Sequence, residues 1–339
     1  MRIFDLERRI KIKQENEIDV FREKAEYYKT NNVFPVKLFG KSIKNIYKNI
    51  NLQLILSYAC NSNCAFCVEN DIKNGSEIST KKYTSLLDSI LKQYHNQNIF
   101  PSVSITGGEP LIKIDRLKEI LKTVKENNVE RYNVNTNGYF IPKHLDFLKS
   151  SKVPAINVSR HDSSYQELKR IFRSNQVITD DELTKANNQL ENLTLQAVLV
   201  NSHLDSVEKI KEYLENYTLK GFKQFSFRGL SILDEEKSYP KEIKFTKENF
   251  VDIFQILNDV CKDKDFQFVQ QKVGDYYLYE FWKFKGAFVR FTYSNFSWLR
   301  EQEIKERKNG EIFSRATIIY PEGRVTSSWC DDISEIYHI

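Results

Sequence analysis

Apolar residues fall into short blocks separated by stretches of helical period. LQLILSYA (52–59) is a mostly apolar run of strand length. PSVSI (101–105), RYNVNT (131–136), PAINVS (154–159), LTLQAVLV (193–200) and FKQFSFRG (222–229) read as five further strands. Helices are predicted between them at 80–94, 114–127, 142–149, 179–191 and 204–217. The second sets Leu117, Ile120, Leu121 and Val124 on one face. Thr179 and Glu182 fit a capping box at the start of the fourth.

Strand–helix alternation at this spacing predicts crossover units and a parallel sheet. Six such units are about three-quarters of the closed barrel of eight. The expected fold is therefore α/β: an open, partial (β/α)6 TIM-like barrel with a lateral opening and the ligand inside its top. Residues 1–50 are expected to be a lead-in that plugs the barrel bottom, with EIDVFREKAEYY as a short helix and PVKLFG extended. The barrel is assigned to 51–230, and a small α+β appendage that shapes the substrate pocket to 231–339. Within the appendage, 230–245 reads as a linker. Residues 245–262 read as one helix with Phe250, Phe254 and Leu257 on a face. Residues 266–273 read as a strand, and 315–330 as a hairpin turning at Pro321-Glu322-Gly323.

Composition narrows the class. The chain has 339 residues, 40% hydrophobic and 29% charged, which excludes a fibre and a fully disordered chain. The net charge of +5 permits an anionic partner without demanding one. Aromatic residues are spread throughout and no Lys/Arg stripe tracks with them, so a nucleic-acid binder with a structural cluster is disfavoured. The N-terminus MRIFDLERRIKIKQ lacks the apolar core of a secretory signal. No apolar run reaches the roughly 18 residues of a membrane span, so a cytoplasmic protein is expected.

Five cysteines are present, at 60, 64, 67, 261 and 330. An odd count with three packed together does not read as a disulfide framework. Cys60, Cys64 and Cys67 follow the first strand in the spacing C-x3-C-x2-C. No fourth Cys or His lies near, His95 being the next, whereas a structural zinc site takes four ligands. Soft thiolates lacking a fourth protein ligand suit a [4Fe–4S] cluster with one open iron. Polar residues crowd the strand ends, with Thr106-Gly107-Gly108-Glu109-Pro110 after the second, Asn135 and Asn137-Gly138 at the third, and Ser159-Arg160-His161-Asp162 at the fourth. Arg228 stands at the end of the sixth.

Cys60, Cys64 and Cys67, with Phe66 before the last, resemble the signature of radical S-adenosylmethionine (SAM) enzymes. The resemblance covers roughly 52–230 and points to the branch of molybdenum-cofactor cyclases and peptide maturases. It implies one [4Fe–4S] cluster on the three cysteines, with SAM chelating the open iron and yielding a 5′-deoxyadenosyl radical on one-electron reduction. It implies a donor such as flavodoxin or ferredoxin. By the same likeness, Gly107, Gly108 and Glu109 meet the SAM amine, and Asn135, Asn137 and Ser159 its ribose or carboxylate. Phe66 and Val198 lie by adenine, and Arg160 binds the SAM carboxylate or a substrate anion.

Substrate-facing candidates are Arg228, His161 and Cys330, the last as a hydrogen-atom donor or a buried structural thiol. Arg170 and Arg173 are candidates for phosphate. Cys261 reads as core. The hairpin ATIIYPEGRVTSSWC resembles the auxiliary-cluster domains of that branch but retains only Cys330, so one cluster is expected. The expected substrate is a small peptide or an amino-acid derivative, with a nucleotide or other phosphorylated molecule as the alternative.

Overall fold

Alternation of strand and helix persists from Asn51 to Gly229 in the computed structural model, which describes residues 17–31, 33–67, 76–190, 192–201, 203–231, 240–330 and 333–339. After α1 (Glu17–Asn31) come β1 (Phe34–Leu38) and β2 (Lys41–Asn45), an antiparallel hairpin. Then follow β3 (Asn51–Ile55), α2 (Thr80–His95), β4 (Ser102–Thr106), α3 (Ile114–Glu126), β5 (Tyr132–Thr136), α4 (Ile141–Ser151) and β6 (Ala155–Ser159). The alternation continues through α5 (Tyr165–Phe172), α6 (Asp180–Asn187), β7 (Leu193–Leu199), α7 (Val207–Leu219) and β8 (Gln224–Gly229). The remainder comprises α8 (Pro240–Asn249), α9 (Ile253–Lys262), β9 (Phe266–Val273), β10 (Tyr277–Phe284), β11 (Ala287–Ser294), α10 (Phe296–Lys308), β12 (Phe313–Ser314), β13 (Thr317–Ile319), β14 (Arg324–Thr326) and β15 (Glu335–His338).

Two compact units divide the chain. One comprises Tyr28–Ser62, Glu69–Ile156 and Leu299–Ile339. Its main strand order is β15-β14-β13-β3-β4-β5, and β13, β3, β4 and β5 run parallel. Leu52, Leu54, Val103, Ile105 and Val134 are buried, as are Leu87 and Ile90 of α2 and Leu117 and Ile120 of α3. This is the covered face that the period-two and period-3.6 patterns predict. Gln53, Ser104, Asn133 and Asn135 take the alternate positions.

The other unit comprises Met1–Tyr27, Asn63–Val68 and Asn157–Trp298. Its strand order is β7-β8-β11-β10-β9, with β8 parallel to both β7 and β11. Tyr213 of α7 meets Phe227 edge-on at 5.6 Å and Phe225 at 6.3 Å, covering the apolar face of β8. Both units are open arrays of mixed α/β character. No helix among the described residues is long and apolar enough to cross a membrane.

Several expectations need correction. The predicted helix 245–262 is two helices, because Asp252 breaks it and caps α9 by accepting the N–H groups of Phe254 and Gln255. Phe250 lies in that break and is 41% exposed, so it does not share a buried face with Leu257. The predicted linker 230–245 is helical from Pro240, and its residues 232–239 lie outside the described residues, as do 1–16 of the lead-in. The helix α5 and the hairpin β10–β11 were not predicted. The C-terminal strands extend existing sheets, β13 beside β3 and β11 beside β8.

Candidate active site at the cysteine loop

Backbone packing fixes the start of the cysteine loop. Leu56 N–H donates to Thr106 O at 2.9 Å, then Gly108 N–H to Ser57 O and Glu109 N–H to Ala59 O, both at 2.7 Å. A Cβ on Gly107 would stand 2.6 Å from Ser57 O, and one on Gly108 2.2 Å from Ala59 O. Gly107 also holds φ +133°, which side chains disfavour. The two glycines are there because the chain before Cys60 lies directly against them.

Glu109 is fully buried. Its Oε1 accepts from Leu111 N–H at 2.9 Å and from the Thr136 hydroxyl at 2.7 Å, and its Oε2 accepts from Asn137 N–H at 2.7 Å. Burial pushes its carboxyl up to about 7 against these donors. The carboxylate thus joins the ends of β4 and β5. Asn137 Nδ2 donates in turn to Asn61 Oδ1 at 2.6 Å, tying β5 to the cysteine loop. Asn135 spends its amide on Ser104 Oγ, Ile105 O and Asn133 Oδ1. Ser57 Oγ donates to Glu77 at 2.6 Å, and the same carboxylate accepts Tyr58 N–H. Sequence reasoning missed Glu77, since nothing in its local pattern distinguishes it.

The far half of the loop belongs to the other unit. Asn63 N–H donates to Phe172 O at 2.8 Å and Cys67 N–H to Cys64 O at 3.2 Å. Phe66 packs edge-on against His161 with ring centroids 5.0 Å apart. His161 is buried, accepts Val198 N–H at Nδ1, and is pushed down to about 3 by burial, next by Arg160 and His203. It is therefore a neutral imidazole whose proton sits on Nε2. Ser159 is half-buried at the end of β6 and Arg228 is exposed near the end of β8.

Arg160 departs from its expected role. It is 1% exposed and donates to Tyr217 Oη, Ile178 O and Asp180, so its guanidinium is committed to holding β6, α6 and α7 together. A pocket beside Phe66 is lined by Ala65, Val200, Arg170, Arg173 and His203. There His203 Nδ1 lies 3.0 Å from Asp162 and Nε2 2.8 Å from Arg170 Nη2. The arginine can only donate, so Nε2 accepts and Nδ1–H donates to Asp162. His203 was not singled out from sequence, and its signal is visible only once β7 and α5 are adjacent.

Cys330 is buried, its N–H donating to Ser328 Oγ, and burial followed by the Glu303 charge pushes its thiol up. None of the five cysteines forms a disulfide. Among the described residues no three His, Cys, Asp or Glu side chains converge on a single ion. A cubane asks for no such convergence, since each thiolate takes a different iron. The donor set of three half-buried thiols on one loop, without an imidazole or carboxylate, fits that group.

Comparison with known proteins agrees. Residues 54–186 match the radical SAM superfamily model. Probable GTP 3′,8-cyclases are similar in sequence, that of Sulfolobus acidocaldarius at 30% identity over 32% of this chain and 34% of the relative. That of Saccharolobus islandicus is 30% identical over 39% of this chain and 40% of the relative. The matched segment thus spans well under half the length of these curated relatives. In fold, SuiB of Streptococcus suis bound to SAM is similar with a TM-score of 0.52 at 16% identity, over 91% of this chain and 64% of that one. The SAM-bound anSMEcpe gives 0.51 at 15% identity, over 86% and 77%. The likeness to the radical SAM superfamily thus rests on residues 54–186.

Proposed function

We propose that this chain is a radical SAM enzyme that abstracts a hydrogen atom from a small organic substrate. The single observation that carries the reading is the loop of Cys60, Cys64 and Cys67, set at the end of β3 by the backbone of Gly108 and Glu109. Cys60, Cys64 and Cys67 would hold one [4Fe–4S] cluster, leaving one iron for SAM. A cluster held there would supply one-electron reductive cleavage of SAM, the chemistry that hydrogen abstraction from the substrate requires.

The chain's own residues have distinct parts in this reading. Gly107 and Gly108 let backbone approach the methionyl end of SAM. Glu109 acts through position, holding the ends of β4 and β5 rather than offering a free carboxylate. Asn135, Asn137 and Ser159 line the strand ends where ribose and carboxylate would lie. Phe66, steadied by His161, and Val198 flank the adenine position. Arg228 would face the substrate, and Cys330 would be either the hydrogen-atom donor to a substrate radical, a role its neutral thiol permits, or a buried structural thiol.

The expected substrate is a peptide or amino-acid derivative. A nucleotide is the second reading, favoured by the sequence likeness to probable GTP cyclases. The test supplies reduced, reconstituted protein with SAM and either GTP or a panel of short peptides. The true substrate class raises 5′-deoxyadenosine formation above the substrate-free rate. Acceleration by GTP alone would overturn the peptide reading.

A further inference from the structure

We propose that Arg290 and Arg228 form a paired-guanidinium site for a doubly charged oxyanion of the substrate, a deepening that rests on the enzyme reading above. In the parallel register of β8 and β11, Arg290 stands opposite Ser226 and Thr292 opposite Arg228. The two arginines therefore lie on neighbouring strands, on one face, two positions apart along the strands. Diagonal neighbours of this kind are about 7–8 Å apart at Cα, within easy reach of two guanidinium groups closing on one ligand.

The surroundings leave both charges uncompensated. Arg290 Nε and Nη2 both donate to the neutral Ser226 Oγ, at 3.2 and 3.1 Å. The register neighbours on this face are Gln196, Val198, Tyr279 and Phe281, with no carboxylate. The one acid of β10, Glu280, takes the opposite face and accepts from Trp282 Nε1 and Gln271 Nε2. Among the described residues neither Arg228 nor Arg290 pairs with an Asp or Glu. Burial and the Arg228 charge push the Arg290 guanidinium down, with only Tyr279 opposing.

Two of this chain's buried arginines are matched by carboxylates. Arg160 meets Asp180, and Arg315 is gripped in two bonds by Glu306 at 2.8 and 2.9 Å. Two like charges without a counter-ion cost folding free energy, more at half-buried Arg290 than at exposed Arg228. An incoming dianion removes that cost and takes forked, charge-assisted hydrogen bonds from both groups. A phosphoryl group and a paired carboxylate share this chemistry, and the probes separate them.

The experiment is calorimetric titration of the reconstituted full chain with pyrophosphate and, separately, with malonate, at low salt. It needs neither reductant nor SAM, so its outcome is independent of radical activity. Binding of either probe should weaken by about tenfold or more in Arg290→Gln and in Arg228→Gln, as for loss of a charged hydrogen bond. Lys285→Gln, the same charge change at a hairpin turn, should bind as wild type does. Without anion, Arg228→Gln should melt higher than wild type, because a like charge is removed. Tighter pyrophosphate assigns a phosphoryl group and tighter malonate assigns carboxylates. Equal binding in wild type, Arg228→Gln and Arg290→Gln, or an equal loss in Lys285→Gln, would overturn the proposal.

Discussion

The carboxylate of Glu109 accepts the backbone N–H of Asn137 at 2.7 Å, and the Asn137 side chain donates to Asn61 at 2.6 Å beside Cys60. Two strand ends and the start of the cysteine loop are thereby one hydrogen-bonded block. Glu109→Gln would turn an amide N–H toward donors that now find an acceptor. A loss of about 1–3 kcal/mol in denaturant unfolding is expected, with weaker retention of iron.

Gly108→Ala tests the backbone approach. Its Cβ would meet Ala59 O at 2.2 Å, so the loop before Cys60 must move. About 2–3 kcal/mol of stability should be lost, and reconstitution should fall with it. Gly40→Ala is the control for a glycine with open space around it, its positive φ apart.

His161 makes stability pH-dependent. Its folded value of about 3 lies below the ordinary 6.5. Below 6.5 the unfolded chain binds a proton that the folded one refuses, so this contribution is lost as pH falls from about 6.5 toward 3. Glu109 and Glu303, both raised from 4.5 to about 7, act oppositely: the folded chain keeps their protons, and stability falls as pH rises from about 4.5 to 7. His161→Gln should flatten the acid side of the melting-temperature profile relative to wild type.

Arg228→Ala should reduce substrate turnover more than substrate-free SAM cleavage. Equal losses would move Arg228 to the SAM site. Cys330→Ala should abolish product while 5′-deoxyadenosine still forms. Unchanged product would leave Cys330 a buried structural thiol.

The strand–helix units were legible because period-two strands and period-3.6 helices each bury one face, so Leu52, Leu54, Leu117 and Ile120 announce themselves locally. The cysteine spacing was legible for the same reason, its chemistry being contained in one short segment. Arg160 was misread because a polar strand end looks alike whether it faces a ligand or, as here, Asp180 and Tyr217 from helices further along the chain. The Asp162–His203–Arg170 chain and the Arg228–Arg290 pair depend on the adjacency of β6, β7, β8 and β11, which no local pattern encodes. The broken helix at Asp252 follows a capping preference that the apolar period masked.

The most direct measurement is 5′-deoxyadenosine formed from SAM by anaerobically reconstituted, dithionite-reduced protein, with iron counted in the same sample. The account predicts cleavage by wild type at about four irons per chain, and neither cleavage nor a cluster in Cys64→Ala. Bound zinc in place of iron, or wild-type cleavage after Cys64→Ala, would contradict it.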